Sequence, residues 1–90
     1  MIVALYEAKV ISRGTLMDLC RKYKYVDADI LVEELKGRDI DPVHYSSIIG
    51  STFRVFESEQ LIKDTGRVKA SKRNSGNLIK IWRSCLLNAG

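Results

Sequence analysis

Apolar positions recur at helical spacing through the first 58 residues of this chain and alternate afterwards. Val3, Leu5, Tyr6 and Ala8 give residues 2–9 an apolar surface and predict a short helix. The β-branched pair Val10-Ile11 either ends that helix or forms a very short strand, and Ser12-Arg-Gly14 reads as a connector. Thr15 is expected to cap a helix over 16–25, with Asp18 in the first turn, where the helix dipole favours an acid. Its buried face is Leu16, Leu19, Cys20 and Tyr23. Asp27 is placed to cap the next helix, 28–36, with Ala28, Leu31, Val32 and Leu35 inward and Gly37 as its stop. Arg38 to Pro42 reads as a turn, with Asp41 as a cap and Pro42 where a further helix would start.

The helix predicted over 43–58 has two unlike faces. Ile49, Phe53, Phe56 and Gln60 lie on one stripe with Tyr45 and Thr52 beside it; His44, Ser47, Ser51, Arg54 and Ser58 lie on the other. The outer stripe is short, polar and nearly free of acids, whereas an ordinary solvated face carries Glu and Lys. Gly50, ~1 kcal/mol worse than alanine in mid-helix, points to close packing or close approach there. Beyond Leu61-Ile62 the period changes to two. Residues 63–71 and 77–84 read as strands around a 72–76 turn, with Ser75-Gly76 at its tip. Val68 and Ala70 alternate with Arg67, Lys69 and Ser71, so one face is expected to pack on the helices while the other stays basic. Trp82 reads as core, and residues 84–90 as a tail.

Charge is segregated along the chain. Residues 63–90 carry seven basic side chains against one acid, Asp64, whereas the preceding 62 carry eight basic and ten acidic ones. A cationic hairpin after an acid-poor helix suits a phosphate backbone. Ninety residues make one domain, able to bury about 60–65% of its unfolded surface. No apolar run approaches the ~18 residues of a membrane span. The start, Met1-Ile-Val-Ala-Leu-Tyr-Glu, lacks the features of a signal peptide, so a cytoplasmic protein is expected. Cys20, Cys85 and the lone His44 do not make a zinc site, and no other metal or cofactor is implied. Catalysis is not expected either. No glycine-rich phosphate loop or serine–histidine–acid set is present, and helix caps plus a solvated face explain Asp27, Asp29, Glu33 and Glu34.

The motifs Asp39-Ile-Asp-Pro-Val-His44, Ile49-Gly-Ser-Thr-Phe-Arg54 and Glu59-Gln-Leu-Ile-Lys-Asp-Thr-Gly-Arg67 occur in that order. Ser71-Lys-Arg, Gly76 and Ile81-Trp-Arg83 come after them. With this spacing, Asp27 to Ser84 resembles small winged helix-turn-helix proteins encoded by bacteriophages and prophages. The resemblance implies an α+β, mainly α, single domain over 1–90: three to four helices, then a two-stranded hairpin wing. It implies binding to double-stranded DNA, as a phage-type regulator or replication accessory factor in the bacterial host cytoplasm. The helix from Val43 would enter the major groove and the wing would lie on the backbone or minor groove.

Side-chain chemistry gives each residue an expected part. His44, Ser47, Ser51 and Arg54 face outward, and Arg54 alone among them can read guanine bidentately. Ser46 and Thr52 join Ser47 and Ser51 as short side chains able to donate to phosphate. Arg67, Lys69, Lys72, Arg73 and Lys80 are the expected phosphate neutralisers, with Asn74 and Asn77 adding hydrogen bonds. Other readings stand beside this one. The hairpin's charge can simply solubilise the chain, and the serine-rich face can meet a protein. The alternative function is a winged-helix adaptor or inhibitor docking on a host protein through the acidic 27–41 surface, without DNA. A homodimer through helix 2–9, with Leu5 and Tyr6 at the interface, is a further expectation. RNA and single-stranded DNA are disfavoured because no aromatic ladder accompanies the basic residues.

Overall fold

A computed structural model describes residues 5–73 and 76–87 of the chain. The expectations for Asn74, the Ser75 loop tip, residues 2–4 and the last three positions lie outside those residues. The described elements are α1 (Leu5–Lys22), β1 (Tyr25–Val26), α2 (Ala28–Leu35), a 3-10 turn (Pro42–His44), α3 (Tyr45–Ser58), β2 (Ile62–Ala70) and β3 (Leu78–Ser84). The architecture is α+β and mainly helical, with three α-helices and an antiparallel sheet in the order β1-β3-β2.

One helix replaces the two expected before residue 25. Ser12-Arg-Gly14 is not a connector, and Thr15 is no cap; both hydroxyls are buried inside α1. Thr15 Oγ1 donates back to the Ile11 carbonyl at 2.8 Å. Thr52 Oγ1 donates to the Ile48 carbonyl at 2.6 Å, so Ser12 supplies the proton in the 2.7 Å Ser12–Thr52 hydrogen bond. That pair joins α1 to α3 across the core, and it leaves Thr52 buried rather than able to donate to phosphate. With Ala8, Leu16, Leu19 and Cys20 also buried, tertiary packing outweighs the local cost of Gly14. Tyr23, expected inside, is exposed beyond the end of α1.

The later helices agree closely with their sequence signals. Asp27 caps α2 by accepting from the Ile30 amide at 3.0 Å, and Leu31, Val32 and Leu35 are buried. Asp41 accepts from the Val43 amide at 3.0 Å, starting the 3-10 turn that leads into α3. In α3, Ile48, Ile49, Thr52, Phe53 and Phe56 face the core. Its end is a Schellman motif: the Leu61 amide donates to the Phe56 carbonyl at 2.9 Å, and Gln60 to Glu57 at 3.0 Å. Gln60 takes the left-handed φ of 63° usually left to glycine, so it lies outside the helix and exposed rather than on the inner stripe.

The sheet has three strands, not two. Tyr25-Val26 is too short to show a period, yet it pairs with β3, placing Tyr25 opposite Arg83 and Val26 opposite Trp82. Trp82 stacks on Phe53 with ring centroids 5.9 Å apart, which seats the sheet on α3. Beyond that base the expected alternation fails. From Asp64 to Val68 the chain takes four steps on β2 while its partner takes two, from Trp82 to Lys80. Gly66, at φ 77°, makes this bulge, and its amide donates to Asp64 Oδ1 at 2.9 Å. Bulges bend and overtwist a strand, and here the buried face changes parity. Below the bulge Ile62, Trp82 and Ser84 are inside; beyond it Ser71 is buried while Val68 and Leu78 are 53% and 69% exposed. The free face of the outer ribbon is therefore largely aliphatic, in place of the basic face expected. Residues 85–87 fold back at its foot, their amides at Leu86 and Leu87 donating to Ser84 Oγ.

Candidate nucleic-acid interface

The outward side of α3 begins with Ser46, Ser47 and Gly50 and continues to Arg54, all exposed. No acid lies between Val43 and Phe56; Glu57 is the first. Ser51 is half-buried, and so is His44, which stands at the junction of the 3-10 turn and α3 without capping it. A methyl group added at Gly50 would meet nothing within 4 Å. Close packing within the protein is thus not the reason for this glycine, contrary to one of the two explanations expected.

The five ribbon cations expected to neutralise phosphates divide into two groups. Arg67 and Lys72 are exposed, and neither side chain has an ion-pair partner among the described residues. Lys69, Arg73 and Lys80 each lie beside a carboxylate. Lys69 Nζ is 3.1 Å from Asp27 Oδ2, a side chain only 7% exposed. Arg73 Nε is 3.5 Å from Asp29 Oδ1, and Lys80 Nζ is 3.3 Å from Asp64 Oδ2. Asn77 is exposed, and its carbonyl accepts from the Ser71 amide at 2.8 Å across the turn.

Asp27 and Asp29 do more than begin α2. Asp29 accepts from Ser71 Oγ and from the Lys72 amide, both at 2.7 Å, and so fixes the approach to the hairpin turn. Partial burial alone would raise its pKa. The Lys72 and Ser71 hydrogen bonds and the charges of Lys69 and Arg73 outweigh that effect and hold the carboxyl below its ordinary value. Asp64 is also lowered, chiefly by the Gly66 amide and then by Lys80. A pocket of about 380 Å³ separates α2 from the ribbon, with Asp29, Glu33, Lys69, Lys72 and Arg73 among its walls. This acid latch escaped sequence reasoning because its partners lie 42 and 43 residues apart. The only local signal was Asp27-Ala-Asp29 opposite a cationic turn.

The remaining chemistry is sparse. Cys20 is buried and Cys85 exposed, both free thiols. Burial pushes the Cys20 thiol up, which makes it a poor nucleophile. Among the described residues no group of three or more His, Cys, Asp or Glu is arranged to hold a metal ion. No described helix is long and apolar enough to cross a membrane. No family model, curated protein or solved structure gives a significant match to this chain.

Proposed function

We propose that this chain is a winged helix-turn-helix protein that binds double-stranded DNA, with α3 in the major groove and the β2–β3 ribbon as the wing. The observation that carries this reading is the outward face of α3. Ser46, Ser47 and Gly50 leave its first turns without bulk, and Arg54 comes next with no acid before it. A major groove about 12 Å wide admits one helix, and small side chains let that helix approach base edges. Arg54 is the residue for guanine, and Ser46, Ser47 and Ser51 donate to phosphate. His44, at the foot of α3, and Asn77, at the ribbon turn, supply further polar groups in this proposal. Arg67 and Lys72 are the cations at hand for the backbone. Lys69, Arg73 and Lys80 contribute to it only at the expense of their carboxylates. The succession of three helices and the β2–β3 ribbon fits a winged helix-turn-helix plan, and the phage-type regulatory or replication role in this proposal rests on the resemblance of residues 27–84.

A second reading is favoured by one feature. The aliphatic ribbon face of Val68, Ala70 and Leu78 suits contact with another protein, either a host factor or a second copy of this chain. Fluorescence anisotropy with duplexes of varied sequence separates the two. Arg54→Ala should lower discrimination between duplexes by about 1–3 kcal/mol, more than it lowers mean affinity. Gly50→Ala should stabilise the fold by about 0.5–1 kcal/mol yet weaken duplex binding, because its methyl group intrudes only on a docked groove. If neither substitution alters duplex binding, α3 does not read DNA.

A further inference from the structure

We propose that the outer face of the sheet binds single-stranded nucleic acid, with a base stacked on Tyr25 and phosphates held by Arg83 and Lys63. This site goes beyond the duplex reading and does not depend on it. Its residues come from three separate places in the sequence. The register sets Tyr25 opposite Arg83, and Arg83 opposite Lys63, in one row across β1, β3 and β2. The neighbouring row begins with Val26 and Trp82, both buried. Since alternate residues of a strand point to opposite faces, the Tyr25 row points away from the core.

Two features of that row call for an anion. Directly opposed residues of an antiparallel pair have Cβ atoms about 4.5–5.5 Å apart, and like charges at that distance destabilise the sheet. Lys63 and Arg83 are such a pair, both exposed, and neither has an ion-pair partner among the described residues. Elsewhere on the ribbon, Lys69, Arg73 and Lys80 are each matched by an acid, and the unpaired Arg67 and Lys72 face no other cation in the strand register. Lys63 and Arg83 also wall a surface pocket of about 310 Å³ with Ser84, Cys85 and Leu87. A phosphate seated there would relieve their repulsion.

The aromatic neighbours say what kind of phosphate. Tyr23 and Tyr25 are 44% and 43% exposed, large rings left in water beside cations. Lys22 Nζ lies 5.6 Å from the Tyr23 ring centroid, and Lys24 Nζ 5.6 Å from that of Tyr25. Tyr25, beside the Lys24 ammonium and in the row of Arg83 and Lys63, is a ring on which an unpaired base stacks while its phosphates are neutralised. A duplex keeps its bases stacked on each other, so a single strand is the occupant that uses both features. The sequence hid this arrangement, because Tyr23 and Tyr25 stand far from the basic third of the chain.

The test is anisotropy of the full chain with labelled oligothymidylate of about 12 nucleotides, within the site sizes of such platforms. Tyr25→Phe keeps the ring and should bind like the parent. Tyr25→Ala should bind at least about fivefold more weakly, the loss of one base stack. Lys63→Glu sets opposite charges across the strands; it should raise the melting temperature while weakening oligothymidylate binding on the order of tenfold. Duplex affinity should respond to Arg54→Ala and not to Tyr25→Ala, so the two sites fail or succeed separately. The proposal is overturned if oligothymidylate does not bind, or if Tyr25→Ala or Lys63→Glu leaves its binding unchanged. Equal binding of polyglutamate of similar length would also overturn it, since an acidic peptide would then be the better occupant.

Discussion

At its base, the β2–β3 ribbon is fixed by Trp82 stacked on Phe53, with Val26 and Ile62 buried beside them. At its far end the same ribbon is fixed by Asp27 and Asp29, which hold Lys69, Ser71, Lys72 and Arg73. The Asp64–Val68 bulge lies between the two regimes. Apolar burial at the base is indifferent to salt and to mild acid. Carboxylate contacts at the far end are sensitive to both. The part of the ribbon proposed to meet DNA is thus the part held by groups that a polyanion and its counterions perturb.

The comparison can be broken first at the base. Trp82→Ala should cost about 3–5 kcal/mol, seen as a lowered urea midpoint with the whole domain unfolding together. Asp27→Ala should cost about 2–3 kcal/mol, because it removes the α2 cap and strands the half-buried Lys69. Asp27→Asn keeps a capping oxygen and should recover about half of that loss in the same urea titration. Were Asp27→Ala neutral, the far end would not be latched as described.

Asp29→Asn should cost about 1 kcal/mol and speed hydrogen exchange at the Lys72 amide, leaving amides at Val26 and Trp82 unaffected. Its pH dependence has a fixed sign. A carboxyl lowered in the folded state stabilises fully above its ordinary value of 3.8. That contribution is lost as pH falls below 3.8 through the lowered folded value. Melting curves of the parent should therefore fall more steeply in this acid range than those of Asp29→Asn. The smallest effect belongs to Lys80→Ala, which should leave the urea midpoint nearly where it was, because its pair with Asp64 is exposed.

Much of this molecule was legible where local chemistry decides. Asp27 and Asp41 announce their helices through side chains that reach amides two or three residues on, and the α3 core stripe is set by its spacing. Elsewhere, long-range partners override the local signals. Ser12 and Thr15 look like helix boundaries until Thr52 and the Ile11 carbonyl take up their hydroxyls. Lys69 alternates like a solvent-facing cation until the Gly66 bulge turns it toward Asp27. Tyr25 belongs to no periodic segment, and only pairing with β3 makes it part of a surface. The charge asymmetry was plain in the sequence, whereas its partial neutralisation by the two α2 acids depends on contacts between distant parts of the chain.

The most direct test is the salt dependence of duplex binding. On the proposed reading, Arg54, Arg67 and Lys72 engage DNA while Lys69, Arg73 and Lys80 stay on their carboxylates. The logarithm of affinity should therefore fall against that of salt with a slope of about −2 to −3, near −0.9 for each neutralised phosphate. A slope of about −5 or steeper would mean that Lys69, Arg73 and Lys80 leave their carboxylates and reach the backbone as well. Absence of duplex binding by the folded protein at low salt would contradict the DNA reading itself.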